Sequence, residues 1–488
     1  MRFIIVAAIA GRILRVFGAA FLAPAAVAAG YGEWADVPGF LIGGVLSAAI
    51  GEAMIRGSRG AGQDLRRIEA LAVVSSVWLM LALLCAVPHL WVGLNPIDAL
   101  FEAMSGITAT GATILTDFET PGRGFFFWRA MTQWLGGMGV IALVLAVLPR
   151  LAIGVRQLFF AEVPGPTEEN LAPQIRKTAG TLWKFYTGLT AVEVVALMAA
   201  GMPLFDAVCH AFTNVAAGGF SPNPESIAGY NSVAVEWIVI VFMFLSGANF
   251  ALQYRAVLGY PDALVRDDEF RAYVGIVAGA AAILAVLLWQ LESAGAPIRT
   301  ALFQVLSILT TTGYASTNFE LWTDQTKVVL LAMMFIGGCA GSAAGGPKVL
   351  RHMLIGRFTL TELRRTLHLR GVMPVKLGGK AVPEEVIRGV LVFFLFYVLM
   401  FAITTAVVIG FGEDLETAVT ATTGALGNIG PGFGEVGPMA NYGGLHPVSK
   451  LMLIAAMWIG RLEVVTVLAL LRPEVWLRAH WQGITPRR

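Results

Sequence analysis

ALFQVLSILTTTGYAST, residues 301–317, is the stretch on which the fold turns. It is an apolar run that ends in three threonines and a glycine, Gly313, with Pro297 and Thr300 just upstream. The same arrangement recurs as ATGATI around Gly111, GGFSP around Gly219 and NIGPGFG around Gly430. The four glycines are 108, 94 and 117 residues apart. Counting back 12 residues from each lands on Ala99, Ala207, Ala301 and Ala418, and counting back 13 lands on Asp98, Asp206, Thr300 and Thr417. A register shared by four segments identifies an internal repeat.

Asp and Thr accept the free N–H groups of a first helical turn, so Asp98, Asp206, Thr300 and Thr417 are the expected caps of four short helices. At about 12 residues each helix reaches only about 18 Å, short of a hydrocarbon core of about 30 Å. Such helices must enter and leave on one side of a membrane. Irregular backbone at membrane depth is tolerated only inside protein or beside water, so four such loops imply one shared cavity.

Composition places the chain in a membrane. Of its 488 residues 57% are hydrophobic and 14% charged, against about 25% charged in soluble domains. Apolar runs of spanning length occur at 39–55, 68–92, 124–149, 180–201, 233–258, 272–292, 326–347, 385–411 and 448–471. Residues 3–28 form a tenth. That segment has features of a signal peptide, but Arg12 and Arg15 interrupt it, and it is read as a retained helix. Lys and Arg number 4, 5, 3, 9 and 4 in segments 50–67, 150–184, 255–271, 348–388 and 472–488, and none in 29–38 and 202–232. By the positive-inside rule both termini face the cytoplasm.

The predicted architecture is therefore an all-α integral membrane protein. Two N-terminal helices occupy 1–67, and repeats of helix, re-entrant pore helix and helix follow over 68–150, 151–258 and 259–350. A basic cytoplasmic linker spans 351–384, and the fourth repeat with a C-terminal tail spans 385–488. The repeats are arranged with pseudo-fourfold symmetry round one pore. The linker region carries Arg364, Arg365, Arg370, Lys376 and Lys380, a face suited to membrane lipids or an acidic partner.

Glycine reaches positive φ, which lets successive carbonyl oxygens line an axis and replace an ion's water. Thr108, Thr110, Thr310, Thr311, Thr312 and Ser221 add hydroxyl oxygens. Helix C-termini aimed at the loops each present about half a negative charge, favouring cations. The loops hold no carboxylate, which favours a monovalent ion over a divalent one. Gly337 to Gly346, GGCAGSAAGG, has too many glycines for a stable helix interior and is expected to unwind. Arg461 lies deep in the last apolar run, about 20 Å along it, and buried ionisable groups are functional candidates.

Other classes find little support. Cys85, Cys209 and Cys339 are widely separated, with no CxxC, and no HExxH, GxSxG or phosphate-binding loop marks an enzyme. Basic residues dispersed among helix ends give no nucleic-acid surface. An alternating-access secondary transporter coupling its cation to protons or sodium remains the alternative, although its repeats are generally inverted and these run parallel.

QWLGGMGV from Gln133, GGFSP from Gly218, SGANFALQYRA from Ser246, TTTGYAST from Thr310, GNIGPGFG from Gly427 and GRLEV from Gly460 together resemble the TrkH, KtrB and Trk superfamily, TrkH being the nearest branch. The resemblance covers nearly the whole chain. It implies potassium uptake through a gated, channel-like pore in a bacterial inner membrane, with potassium as substrate and no cofactor. It implies a homodimer with one pore per subunit, and a cytoplasmic TrkA-like nucleotide-binding regulatory subunit. The implied filter residues are Thr110, Gly111, Ala112, Gly218, Gly219, Phe220, Thr312, Gly313, Tyr314, Ile429, Gly430 and Pro431. The implied gate is an intramembrane loop containing Gly337, Gly338, Gly341, Ser342, Gly345 and Gly346, with Arg461 beside it. Ala343, Ala344 and Pro347 depart from the polar or glycine-rich residues expected in such a loop.

Overall fold

The computed structural model describes residues 2–58, 66–151, 171–290, 296–367 and 373–463. Arg370 and the basic tail 472–488 lie outside the described residues. Among those described, six helices are long and apolar enough to cross a membrane: Phe3–Gly30, Val37–Gly57, Ile68–Trp91, Ala179–Ala199, Asp268–Trp289 and Glu384–Gly410. The first contains one tighter turn at Gly18–Phe21. The run at 124–149 lies within a helix of 29 residues, Arg123–Leu151.

Three of the apolar runs are interrupted among the described residues, the one at 326–347 as expected. The run at 233–258 folds as Val233–Gly247 and Phe250–Val257, bent by 108°. Asn249 caps the second half by accepting from Ala251 N and Leu252 N, and Gln253 Nε2 ties back to Leu245 O and Ala248 O. A capping asparagine after a glycine starts a new helix, so the bend is built locally. The run at 326–347 is helical only over Asp324–Met334, and helix resumes at Val349–Leu367. The last described helix, Pro447–Arg461, stops where Glu463 turns left-handed at φ 62°.

The four short helices are Pro96–Ile107, Leu204–Val215, Pro297–Leu309 and Leu415–Leu426, of 12, 12, 13 and 12 residues. Their lengths match the reading from sequence, but their caps do not. Asn95 accepts from Ile97 N and Asp98 N, and Asp414 accepts from Thr417 N, while Pro203 and Ala296 cap the other two without a side-chain bond. Asp98, Asp206, Thr300 and Thr417 all lie inside their helices. In two of them the physical reason is proline: Pro96 and Pro297 take the first helical position, where their fixed φ and missing N–H cost nothing, while in the fourth Asp414 reaches Thr417 N and takes the cap itself.

Packing follows the chain round the centre. The largest apolar cluster joins the N-terminal helices, the first repeat and the fourth, with Trp128 buried against Phe21 and Phe40. Smaller clusters sit between the second and third repeats and between the third and fourth. The N-terminal pair meets through glycines: a Cβ at Gly51 would lie 2.6 Å from Gly11 O, the close approach expected of membrane helices. The small exception to helix is a hairpin, Lys376–Leu377 with Lys380–Ala381.

Candidate ion pathway

Each short helix ends in the same backbone device. Ala109 N bonds Gly106 O and Thr110 N bonds Ser105 O; Ala217 N bonds Asn214 O and Gly218 N bonds Thr213 O; Asn428 N bonds Ala425 O and Ile429 N bonds Gly424 O. The third loop keeps the first bond, Thr311 N to Ile308 O, and shifts the second to Gly313 N. This crossed pair of bonds needs a left-handed residue after the helix, and none of the four is glycine. Ala109, Ala217, Thr311 and Asn428 have φ of 50°, 54°, 60° and 53°, a conformation costing roughly 1–2 kcal/mol for an L-residue.

Two residues on, the key glycines are left-handed as well: Gly111 at 84°, Gly219 at 76°, Gly313 at 77° and Gly430 at 98°. Their Cα atoms press on one another's loops in cyclic order. A Cβ at Gly111 would lie 2.1 Å from Gly218 O, at Gly219 1.9 Å from Thr312 O, at Gly313 2.1 Å from Ile429 O, and at Gly430 2.8 Å from Thr110 O. Each glycine meets the carbonyl just before the next glycine, and the fourth contact returns to the first loop. The loops form a closed ring, loosest where the fourth meets the first.

The carbonyls of Thr110, Thr312 and Ile429 accept no protein hydrogen bond among the described residues. Gly218 O differs, since Gln133 Nε2 donates to it at 2.7 Å while Gln133 Oε1 accepts from Phe220 N. Other tethers hold the ring from behind. Tyr442 Oη donates to Gly430 O, and Ser307 Oγ to Tyr314 O, both at 2.5 Å. Tyr314 Oη bonds Thr213 Oγ1 and His210 O. Ala112 is buried, and Pro431 lies against Gly313.

Most of the hydroxyls expected to serve an ion are instead used by the scaffold. Thr108 bonds back to Met104 O and meets Thr110 Oγ1; Thr310 bonds back to Leu306 O and meets Thr312 Oγ1. Ser221 Oγ contacts His210 Nε2 and Asn223 N. Asn428 Nδ2 donates to Thr110 Oγ1, tying the fourth loop to the first.

Behind the first two loops lies an ion pair that sequence reasoning missed. Arg129 and Glu102 meet at 2.6 Å with both side chains buried. Glu102 also accepts from Ile114 N and Thr113 Oγ1, and Arg129 donates to Ser221 O and Thr113 Oγ1. The guanidinium sits 4.1 Å over the Phe220 ring. One pair thus braces two loops, and its only sequence signal was Arg129 inside an apolar run.

Below the ring runs the expected unwound loop. Gly337, Gly341 and Gly346 take φ of 81°, 76° and 67°, and Ser342 Oγ bonds Cys339 O. Gly338 packs on Gly247 O, and Gly345 N donates to Thr311 Oγ1 while packing on Gly427 O. The loop therefore touches the third and fourth glycine loops directly. Arg461 Nη1 donates to Ala343 O, and Lys348 Nζ to Ala344 O. No carboxylate pairs with Arg461 among the described residues, and its Nε and Nη2 are unpartnered. Glu463 pairs instead with Arg351 at 2.7 Å.

The TrkH family profile, described as cation transport proteins, matches residues 37–274 and 285–476. The chain belongs to the TrkH family. The Trk system potassium uptake proteins TrkH of Salmonella typhimurium and Escherichia coli are 37% identical over 98% of this chain and all of their own length. TrkG of Escherichia coli is 34% identical over 96% of this chain. A crystal structure of the potassium transporter TrkH from Vibrio parahaemolyticus superposes with a TM-score of 0.89 at 35% identity, over 98% of this chain and all of that one. A helical, multi-pass cation transport protein, and no enzyme, follows from family and fold together.

Proposed function

We propose that this chain is the membrane subunit of a Trk-type system and takes up potassium through a gated pore in a bacterial inner membrane, with both termini cytoplasmic. The ring of four glycine loops is its filter, formed by Thr110, Gly111, Ala112, Gly218, Gly219, Phe220, Thr312, Gly313, Tyr314, Ile429, Gly430 and Pro431. The closed cycle of glycine-to-carbonyl contacts carries this reading, because only loops sharing one axis can contact in that order.

The unpartnered carbonyls of Thr110, Thr312 and Ile429 supply dipoles that replace hydration water. The four helix C-termini preceding the loops add negative potential. With no carboxylate in the loops, a monovalent ion that sheds water easily is favoured. The loop containing Gly337, Gly338, Gly341, Ser342, Gly345 and Gly346 obstructs the path below, and Arg461, bonded to it, repels cations at a point of low dielectric. Two copies associate, each with its own pore. A cytoplasmic TrkA-like nucleotide-binding subunit and lipid head groups meet the basic linker. Potassium is substrate, and no cofactor is required.

The parallel order of the loops supports a pore rather than alternating access. The test is rubidium uptake into liposomes holding purified protein: uptake that follows the cation gradient supports the reading, and absence of flux for every monovalent cation, with or without a regulatory subunit, contradicts it.

A further inference from the structure

The unwound loop buries few large side chains, since Ala340, Gly341, Ser342, Ala343, Ala344, Gly345 and Gly346 are all small. Polar contacts must therefore hold it. Most come from neighbouring backbone: Cys339 N bonds Gly247 O, Ala343 N bonds Ser246 O, and Gly341 O accepts from Phe250 N. Asn249 Nδ2 adds a bond to Ala340 O. One contact differs in kind. Glu269, buried in the first turn of the span Asp268–Trp289, accepts from Ala340 N at 2.7 Å and from Leu350 N at 3.1 Å through the same oxygen.

Those two N–H groups flank the loop. Ala340 lies near its start, and Leu350 opens the cytoplasmic helix Val349–Leu367. A single carboxylate oxygen thus ties Ala340 within the loop to Leu350 just beyond it, drawing the loop closed against the start of the next helix while both bonds persist. Among the described residues no other carboxylate bonds this loop.

The preceding residue faces the other way. Asp268 Oδ2 accepts from Arg357 Nη2 at 2.9 Å and from Gly378 N at 3.0 Å. Arg357 Nη1 in turn donates to Lys376 O at 2.6 Å. Arg357 lies on the cytoplasmic helix, and Lys376 and Gly378 belong to the short hairpin. Two adjacent carboxylates on one helix end therefore hold two different things, the loop under the ring and the basic cytoplasmic hairpin.

We propose that Glu269 is a positioning residue that latches the loop across the pathway, and that Asp268 couples this latch to the cytoplasmic hairpin. A partner that displaces the hairpin moves the Asp268 end of the helix and thereby loosens Glu269. The inference rests on reading Gly337–Gly346 as the obstruction, and adds how it is held shut and from where it is released.

The test uses full-length protein in liposomes, with rubidium uptake, the rubidium-to-sodium preference and the labelling rate of Cys339 by a thiol reagent, in a background lacking Cys85 and Cys209. Losing two buried hydrogen bonds of about 1 kcal/mol each shifts a two-state balance by roughly tenfold or more. Glu269→Ala is expected to raise uptake and Cys339 labelling by about that factor while leaving the ion preference unchanged, and Glu269→Gln, which keeps one acceptor, falls between. Asp268→Ala raises uptake less, and the double variant does not exceed Glu269→Ala. A Glu269→Ala protein, or Glu269→Gln if the first does not fold, that is monodisperse yet has parental flux and labelling overturns the latch. Multiplicative effects of the two substitutions overturn the coupling. If Arg461→Ala raises flux while Glu269 variants do not, the latch fails and the gate stands; if neither does, both fail.

Discussion

Glu102 and Arg129 are both buried, and each is committed to backbone of a different glycine loop as well as to the other. Removing one partner leaves the other charge buried alone, at a cost of about 3–5 kcal/mol. Glu102→Gln and Arg129→Gln should each lower thermal stability in detergent by that amount and weaken potassium preference; an unaltered unfolding midpoint would show that the pair bears no such load. Tyr442→Phe removes one neutral donor from Gly430 O and should cost about 1 kcal/mol, measured the same way. At this scale the key glycines were legible because four of them shared a register. The left-handed Ala109, Ala217, Thr311 and Asn428 were not, since those residue types carry no preference for that conformation strong enough to read. The Glu102–Arg129 pair was hidden by separation, being 27 residues apart and visible only once the helices had packed. That Thr108 and Thr310 also bond back to their own helices is equally invisible in sequence, because a hydroxyl near a helix end can bond its own backbone.

The short helices show what periodicity gives and what it withholds. Their length follows from the 12-residue spacing between alanine and glycine, and all four are present. Their caps lie upstream of that register because Pro96 and Pro297 take the first helical position in two of them, Pro203 is itself the cap of the second, and Asp414 competes successfully in the fourth. Asn95→Ala and Asp414→Ala should therefore each destabilise by about 1 kcal/mol, whereas Thr300→Ala, inside its helix, should not; a thermal-shift series separates them. The bend at Ala248 and Asn249 was contained in SGANF but read through, because an apolar window averages over a single capping residue. In the structure that bend supplies Gly247 O, Ser246 O and the Asn249 amide to the obstructing loop, so the two breaks depend on each other.

For the whole molecule, the sequence carried the membrane class, the repeat and the loop beneath the ring, because each rests on composition or spacing within one stretch. The order in which the loops touch, and the carbonyls left free by that packing, required three-dimensional contact. Arg461, bonded among the described residues through Ala343 O, carries a largely uncompensated charge beside the loop Gly337–Gly346, and Arg461→Ala should raise cation flux several-fold in the liposome assay; parental flux in a normally folded variant would remove its proposed barrier role. The central claim is that all four loops form one filter. Its most direct measurement is the potassium-to-sodium permeability ratio of four single variants, Gly111→Ala, Gly219→Ala, Gly313→Ala and Gly430→Ala. Every one should lower the ratio, Gly430→Ala least, because its Cβ has 2.8 Å where the others have 2.1 Å or less. A folded variant at any of the four positions that keeps the parental ratio would contradict it.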